Sequence, residues 1–199
     1  MGMCAIYQEV KKEDFKKLLE SDNFFETIEE LEEKDGTALC DIDKMWDALH
    51  FLLNGLSAIY GAPEDNLLSE FIIGSESFND EAEEFARYIP TEKVIEIDKK
   101  LNETNFQDYL KNFDMTKFKE NNIYPDIWDY TEEREEIIEE LSEHFENLKE
   151  FYVMEYHELP PKKFFGITKY KNIPHYMIHF IFSGKEDYEC WGYKISIKE

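Results

Sequence analysis

Between Glu132 and Met154, the residues Ile137, Ile138, Leu141, Phe145, Leu148 and Tyr152 recur at intervals of three and four, and most of the positions around them are glutamate. That pattern predicts one helix of about six turns with a single apolar stripe. A helix that is apolar on one side only has to lie on something, so the rest of the chain must supply a core. Of the 199 residues, 42% are hydrophobic and 16% aromatic, enough to bury a core in spite of a formal charge of −24. Wholesale disorder is therefore excluded, and one domain is the default at this length.

Upstream of the long helix the chain reads as mixed short elements. Ala5 to Val10 is a β-prone segment, and Phe15, Leu18 and Leu19 give Lys12 to Glu20 a helical face. A second helix carries Phe24, Phe25, Ile28 and Leu31 and is broken by Asp35-Gly36. A third, about Asp43 to Asn54, ends at Gly55. Leu56 to Phe78 holds only short pieces, with Gly61, Pro63 and Gly74 as breakers. Thr91 is placed to cap a helix bearing Val94, Ile95, Ile97 and Leu101, Thr104 with Gln107 spells a capping box, and Pro125 turns Ile123 to Asp129 into a bend.

Beyond Pro160-Pro161 the composition changes. Phe164 to Tyr170, His175 to Phe182 and Cys190 to Ile197 are aromatic and β-branched, with Ser183 to Asp187 suited to a hairpin loop. The expectation is an α+β fold: a predominantly helical single domain spanning 1–199, packed on a small mixed or antiparallel sheet, with a strand-rich C-terminal tail from 157 to 199.

Charge and cysteine usage narrow the partners. A chain this acidic lacks the lysine and arginine that release counterions from a phosphate backbone, so nucleic acid is not expected, nor is an anionic membrane surface. The most apolar stretch, Ala48 to Ala62, is interrupted by His50, Asn54 and Ser57 and falls short of the roughly 20 residues a membrane helix needs. No signal segment is visible near Met1, and Cys4, Cys40 and Cys190 suit reduced thiols. The expected compartment is the cytoplasm.

Candidate chemistry concentrates on the third helix. At 100° per residue, Asp43, Asp47, His50 and Asn54 fall within an arc of about 60°, opposite Met45, Trp46, Leu49 and Leu53. Two carboxylates and an imidazole one turn apart could bind a metal or share a proton. A solvated stripe is the plainer expectation, with the acids favoured by the exposed amides of the first turns. His175 and His179 share a strand face but stand roughly 13 Å apart, too far for one ion. Gly55-Leu56-Ser57-Ala58-Ile59 fails as a nucleophile elbow at Ile59, and neither a phosphate-binding Gly-rich loop nor a paired CxxC is present. No cofactor or metal site is expected, and the sequence singles out no catalytic residue.

Three blocks carry a resemblance: Met1-Gly2-Met3, the run from Asp41 to Gly55 (D-I-D-K-M-W-D-A-L-H-F-L-L-N-G), and Ile123-Tyr124-Pro125-Asp126-Ile127-Trp128-Asp129. With Ala86-Arg87-Tyr88 and Val94 between them, they resemble the bacterial YfbM-like family, whose function is unknown. The resemblance covers Met1 to about Tyr156. Cys40 stands where leucine is expected, and the stretch after Pro160 is longer than usual for the family. What the resemblance implies is a cytoplasmic α+β domain with no established activity or cofactor. Asp41, Tyr124, Asp126 and Asp129 join Asp43, Asp47 and His50 as one candidate functional face if the bend packs beside the third helix.

Three functions then compete. A non-catalytic acidic module for a basic protein partner, as in inhibitors or immunity proteins, follows from the charge. A small metal-assisted or acid–base enzyme would use Asp43, Asp47 and His50. A self-associating scaffold would use an apolar patch including Phe164, Phe165, Trp191 and Tyr193.

Overall fold

Strand β1 (Met3–Lys11) is buried along most of its length on both faces, which identifies it as the middle of a layered structure rather than its edge. Alternation sends Ala5 and Tyr7 into the larger of two cores and Ile6 and Val10 into the smaller. The smaller core lies under α1 (Lys12–Glu20) and α2 (Phe24–Glu32), which contribute Phe15, Leu18, Ile28 and Leu31. A computed structural model of the chain describes residues 3–32, 38–60, 63, 65–78, 85–157, 162–164, 167–169 and 175–183.

Strand β2 (Leu39–Asp41) pairs antiparallel with β1 and leads through a tight turn at Asp43–Met45 into α3 (Trp46–Asn54). The third helix therefore starts three residues later than its apolar spacing predicts. Asp43 adopts φ +45° and its amide donates to Asp41 Oδ1 at 2.7 Å, a local side-chain bond that competes with helix. The other end is as expected: Gly55 at φ +72° closes α3, its amide donating to the Phe51 carbonyl.

Next come α4 (Leu67–Ile73), β3 (Glu76–Ser77), β4 (Phe85–Ile89), α5 (Thr91–Glu103), α6 (Phe106–Leu110), α7 (Met115–Glu120) and α8 (Arg134–His157). Pro90, not Thr91, occupies the cap position of α5. The expected capping box at Thr104 is also displaced by one residue. Asn105 caps α6 through the Gln107 amide, while the Thr104 hydroxyl donates back to Lys100. The stripe of α8 is buried as predicted, with Ile137, Leu141, Phe145, Leu148 and Tyr152 all in the larger core and Phe145 stacked on Phe106 at 4.1 Å. Tyr7 and Tyr152 donate their hydroxyls to the Ile72 and Phe71 carbonyls, two of the acceptors that the end of α4 leaves open.

Strands β5 (Lys162–Phe164) and β6 (Ile167–Lys169) form a separate hairpin, and β7 (His175–Ser183) enters the main sheet. The order is β2-β1-β7-β4-β3 with every pair antiparallel. His179 lies opposite Tyr7 on one side and Arg87 on the other, so its strand is internal rather than an edge. The segment Cys190 to Ile197, the loop 184–187 and Phe165, Trp191 and Tyr193 lie outside the described residues. Among the described residues, no helix is long and apolar enough to cross a membrane.

Candidate functional site

The face singled out on the third helix is not a solvated stripe. Asp47 and His50 are both 0% exposed, and α3 is buried nearly all round. A helical wheel puts these two opposite the leucines, but the turn after Gly55, the bend at Tyr124 and α4 cover that side as well.

The Asp47 carboxylate gathers three donors from two loops. Ser57 Oγ donates to both oxygens at 2.9 and 3.1 Å, the Ala58 amide to Oδ1 at 2.7 Å, and the Tyr124 amide to Oδ2 at 2.9 Å. Burial pushes the Asp47 carboxyl above the usual range, opposed by the hydrogen bonds from Tyr124, Ser57 and Ala58 and by His50 one turn away. His50 is held in a second set of bonds. Its Nδ1 lies 2.7 Å from the Leu56 carbonyl, which can only accept, so Nδ1 carries the proton. The neutral ring then accepts at Nε2 from the Ser69 hydroxyl, 2.6 Å away. Burial lowers the His50 pKa and keeps the ring neutral.

The three sequence blocks meet around this pair. The Met3 amide donates to Tyr124 Oη at 2.8 Å, and Trp46 Nε1 donates to the Met3 carbonyl at 3.1 Å, the two rings lying 5.9 Å apart. Cys4 Sγ donates to Asp43 Oδ1 at 3.0 Å. The start of β1, the start of α3 and the proline bend are thus tied into one polar fastener at the rim of the larger core.

Of the seven candidate residues, Asp43, Asp47, His50 and Tyr124 belong to this fastener. The other three make none of these contacts. Asp41 is exposed and holds the Asp43 amide. Asp129 is exposed and pairs with Lys119 at 2.5 Å. Asp126 is exposed and has no hydrogen-bond or ion-pair partner among the described residues. Sequence reading missed Ser57 and Ser69 as partners. The available signal for Ser57 was its place just after a helix-ending glycine, where a hydroxyl commonly serves the backbone. Cys40 is partly buried against the larger core, where burial, with Asp41 beside it, pushes its thiol up to about 12. Among the described residues, no group of three His, Cys, Asp or Glu side chains is arranged to hold a metal ion.

Residues 1–156 match the family described as a domain of unknown function (DUF1877). The chain belongs to this family. The match takes in the three blocks and runs to the end of the long helix. A curated relative, Protein YfbM of Escherichia coli (strain K12), is 31% identical over 133 residues, covering 64% of this chain and 75% of YfbM. The crystal structure of YfbM from Escherichia coli, itself titled a protein of unknown function, superposes with a TM-score of 0.69 at 23% identity, covering 90% of this chain and 99% of YfbM. At that identity the likeness establishes a shared fold. In this DUF1877 member, the motif residues Met3, Trp46, Asp47, His50 and Tyr124 hold the fold together through the bonds described above.

Proposed function

We propose that this domain is a non-catalytic acidic binding module for a basic protein partner. One observation carries the reading: the turn before α8 and the outward face of α8 form a ridge of carboxylates from Glu132 to Glu150, a stretch with Arg134 and Lys149 as its only lysine or arginine. Glu132, Glu133, Glu136, Glu139, Glu143 and Glu150 are exposed and form no ion pair among the described residues. Their burial in the fold is not required, since the opposite stripe already anchors the helix. Like charges this dense on one rod repel one another, and a cationic surface laid along them relieves that repulsion while gaining a faster encounter.

The acid–base alternative has less support. Such a centre would need Asp47 or His50 to reach a substrate, and each is buried with its polar atoms already engaged. Affinity capture from cytoplasm at low and high salt tests the reading. The captured partner should be basic and should dissociate as the screening length shrinks from about 10 Å at 0.1 M to about 3 Å at 1 M. A partner retained equally at both salts, or one that is itself acidic, would contradict it.

A further inference from the structure

Five large hydrophobic side chains are exposed among the described residues: Leu19, Leu56, Ile59, Tyr60 and Tyr130. Four of them sit on the two loops that share the Asp47 carboxylate. Leu56, Ile59 (52% exposed) and Tyr60 (69% exposed) lie in the turn after Gly55, and Tyr130 closes the proline bend that also carries the unpaired Asp126. Two amides bonded to one carboxylate are at most about 8 Å apart, so the loops meet where Ala58 and Tyr124 converge.

The turn is also fixed in shape. Ser57 Oγ accepts from the Ile59 amide at 3.2 Å and the Ser57 carbonyl from the Tyr60 amide at 3.2 Å, while Asp47 holds Ser57 and Ala58 from below. Exposed apolar and aromatic side chains on a preorganised turn bind at low ordering cost, and tyrosine is enriched among the residues that dominate interface energies. A second copy of this chain is a poor occupant, because each carries −24 and the two repel. A cationic chain with apolar side chains complements both the exposed hydrophobics and Asp126.

We propose that Leu56, Ile59 and Tyr60, on the turn that meets the loop carrying Asp126, form the specific contact point for a cationic, amphipathic segment of the partner. This rests on the acidic-module reading and adds to it a site: α8 supplies long-range attraction, and the Ile59-Tyr60 turn supplies the short-range anchor.

The test uses the full isotopically labelled chain and two synthetic 14-residue peptides of equal charge, one of leucine and lysine, the other with serine for leucine. The leucine peptide should shift the backbone amides of 56–60 and 124–130, and Ile59→Ser with Tyr60→Ser should weaken it by about tenfold or more. The serine peptide should bind more weakly and be indifferent to both substitutions, and the thermal midpoint should not move, since both side chains are exposed. Leucine-peptide binding that is unchanged by the substitutions and shifts only α8 would overturn this site and leave the acidic-module reading standing. Failure of both peptides to bind at low salt would overturn that reading too. Self-association abolished by Tyr60→Ser would identify a second copy as the occupant and refute the proposal.

Discussion

Replacing Asp47 by alanine removes the acceptor for the Ser57 hydroxyl and for the Ala58 and Tyr124 amides at once. A buried donor left without a partner costs about 1–3 kcal/mol. The two amides belong to loops whose outer residues are exposed, so water can reach them after modest relaxation and the lower end applies there. Part of the loss is offset, because a carboxylate whose pKa is raised by burial is itself unfavourable in the fold. The net expectation is a destabilisation of about 2–4 kcal/mol, large against the roughly 5–15 kcal/mol of a typical domain. Urea unfolding followed by fluorescence of the buried Trp46 and Trp128 measures it. With a slope near 2 kcal/mol per molar, the midpoint should fall by about 1–2 M. Asp47→Asn should lose less, because it keeps one carbonyl acceptor while turning an NH2 onto a donor. A loss below about 0.5 kcal/mol for Asp47→Ala, the range of ordinary surface substitutions, would refute the fastener.

Other consequences follow from the same geometry. Below about pH 6.5 an unfolded His50 takes up a proton that the native site, with its lowered pKa, refuses. Stability should therefore fall on acidification there by up to about 1.4 kcal/mol per pH unit. The raised Asp47 acts in the opposite sense: its native form protonates first, so its contribution improves as pH falls toward about 3.9. His50→Gln should flatten the first unit of decline below pH about 6.5, and denaturation midpoints that keep the wild-type slope would contradict this. Gly74 and Gly55 both have positive φ, but a Cβ on Gly74 would meet Arg87 Cβ at 2.8 Å whereas none lies within 4 Å at Gly55. Calorimetry should find Gly55→Ala costing about 1–2 kcal/mol and Gly74→Ala clearly more; equal costs would remove the steric argument. Tyr152→Phe should lose about 0.5–1.5 kcal/mol with the Phe71 carbonyl bond, and no loss would show that water or another donor replaces it.

Elements with one strong periodic signal were legible in the chain, and those set by distant partners were not. The stripe of α8 and the span Lys12–Glu20 follow from spacing alone. The placement of β7 between β1 and β4 depends on residues more than 80 positions away, which no local pattern encodes. At the candidate site, Asp47 and His50 lie one turn apart on α3, Asp43 stands in the turn before the helix, and the expected solvent exposure is wrong for Asp47 and His50. A wheel reports which side chains share a face and is silent on whether a second layer covers it. The bend was located by Pro125, but its docking on Asp47 is a tertiary bond between residues 77 apart.

The most direct test of the fastener is amide hydrogen exchange at Ala58 and Tyr124 in the intact chain. Both amides should be protected in the wild type although they lie in loops, and both should lose that protection together in Asp47→Ala while the centre of α8 keeps its own. Exchange of the Tyr124 amide at an unprotected rate in the wild type would contradict the account.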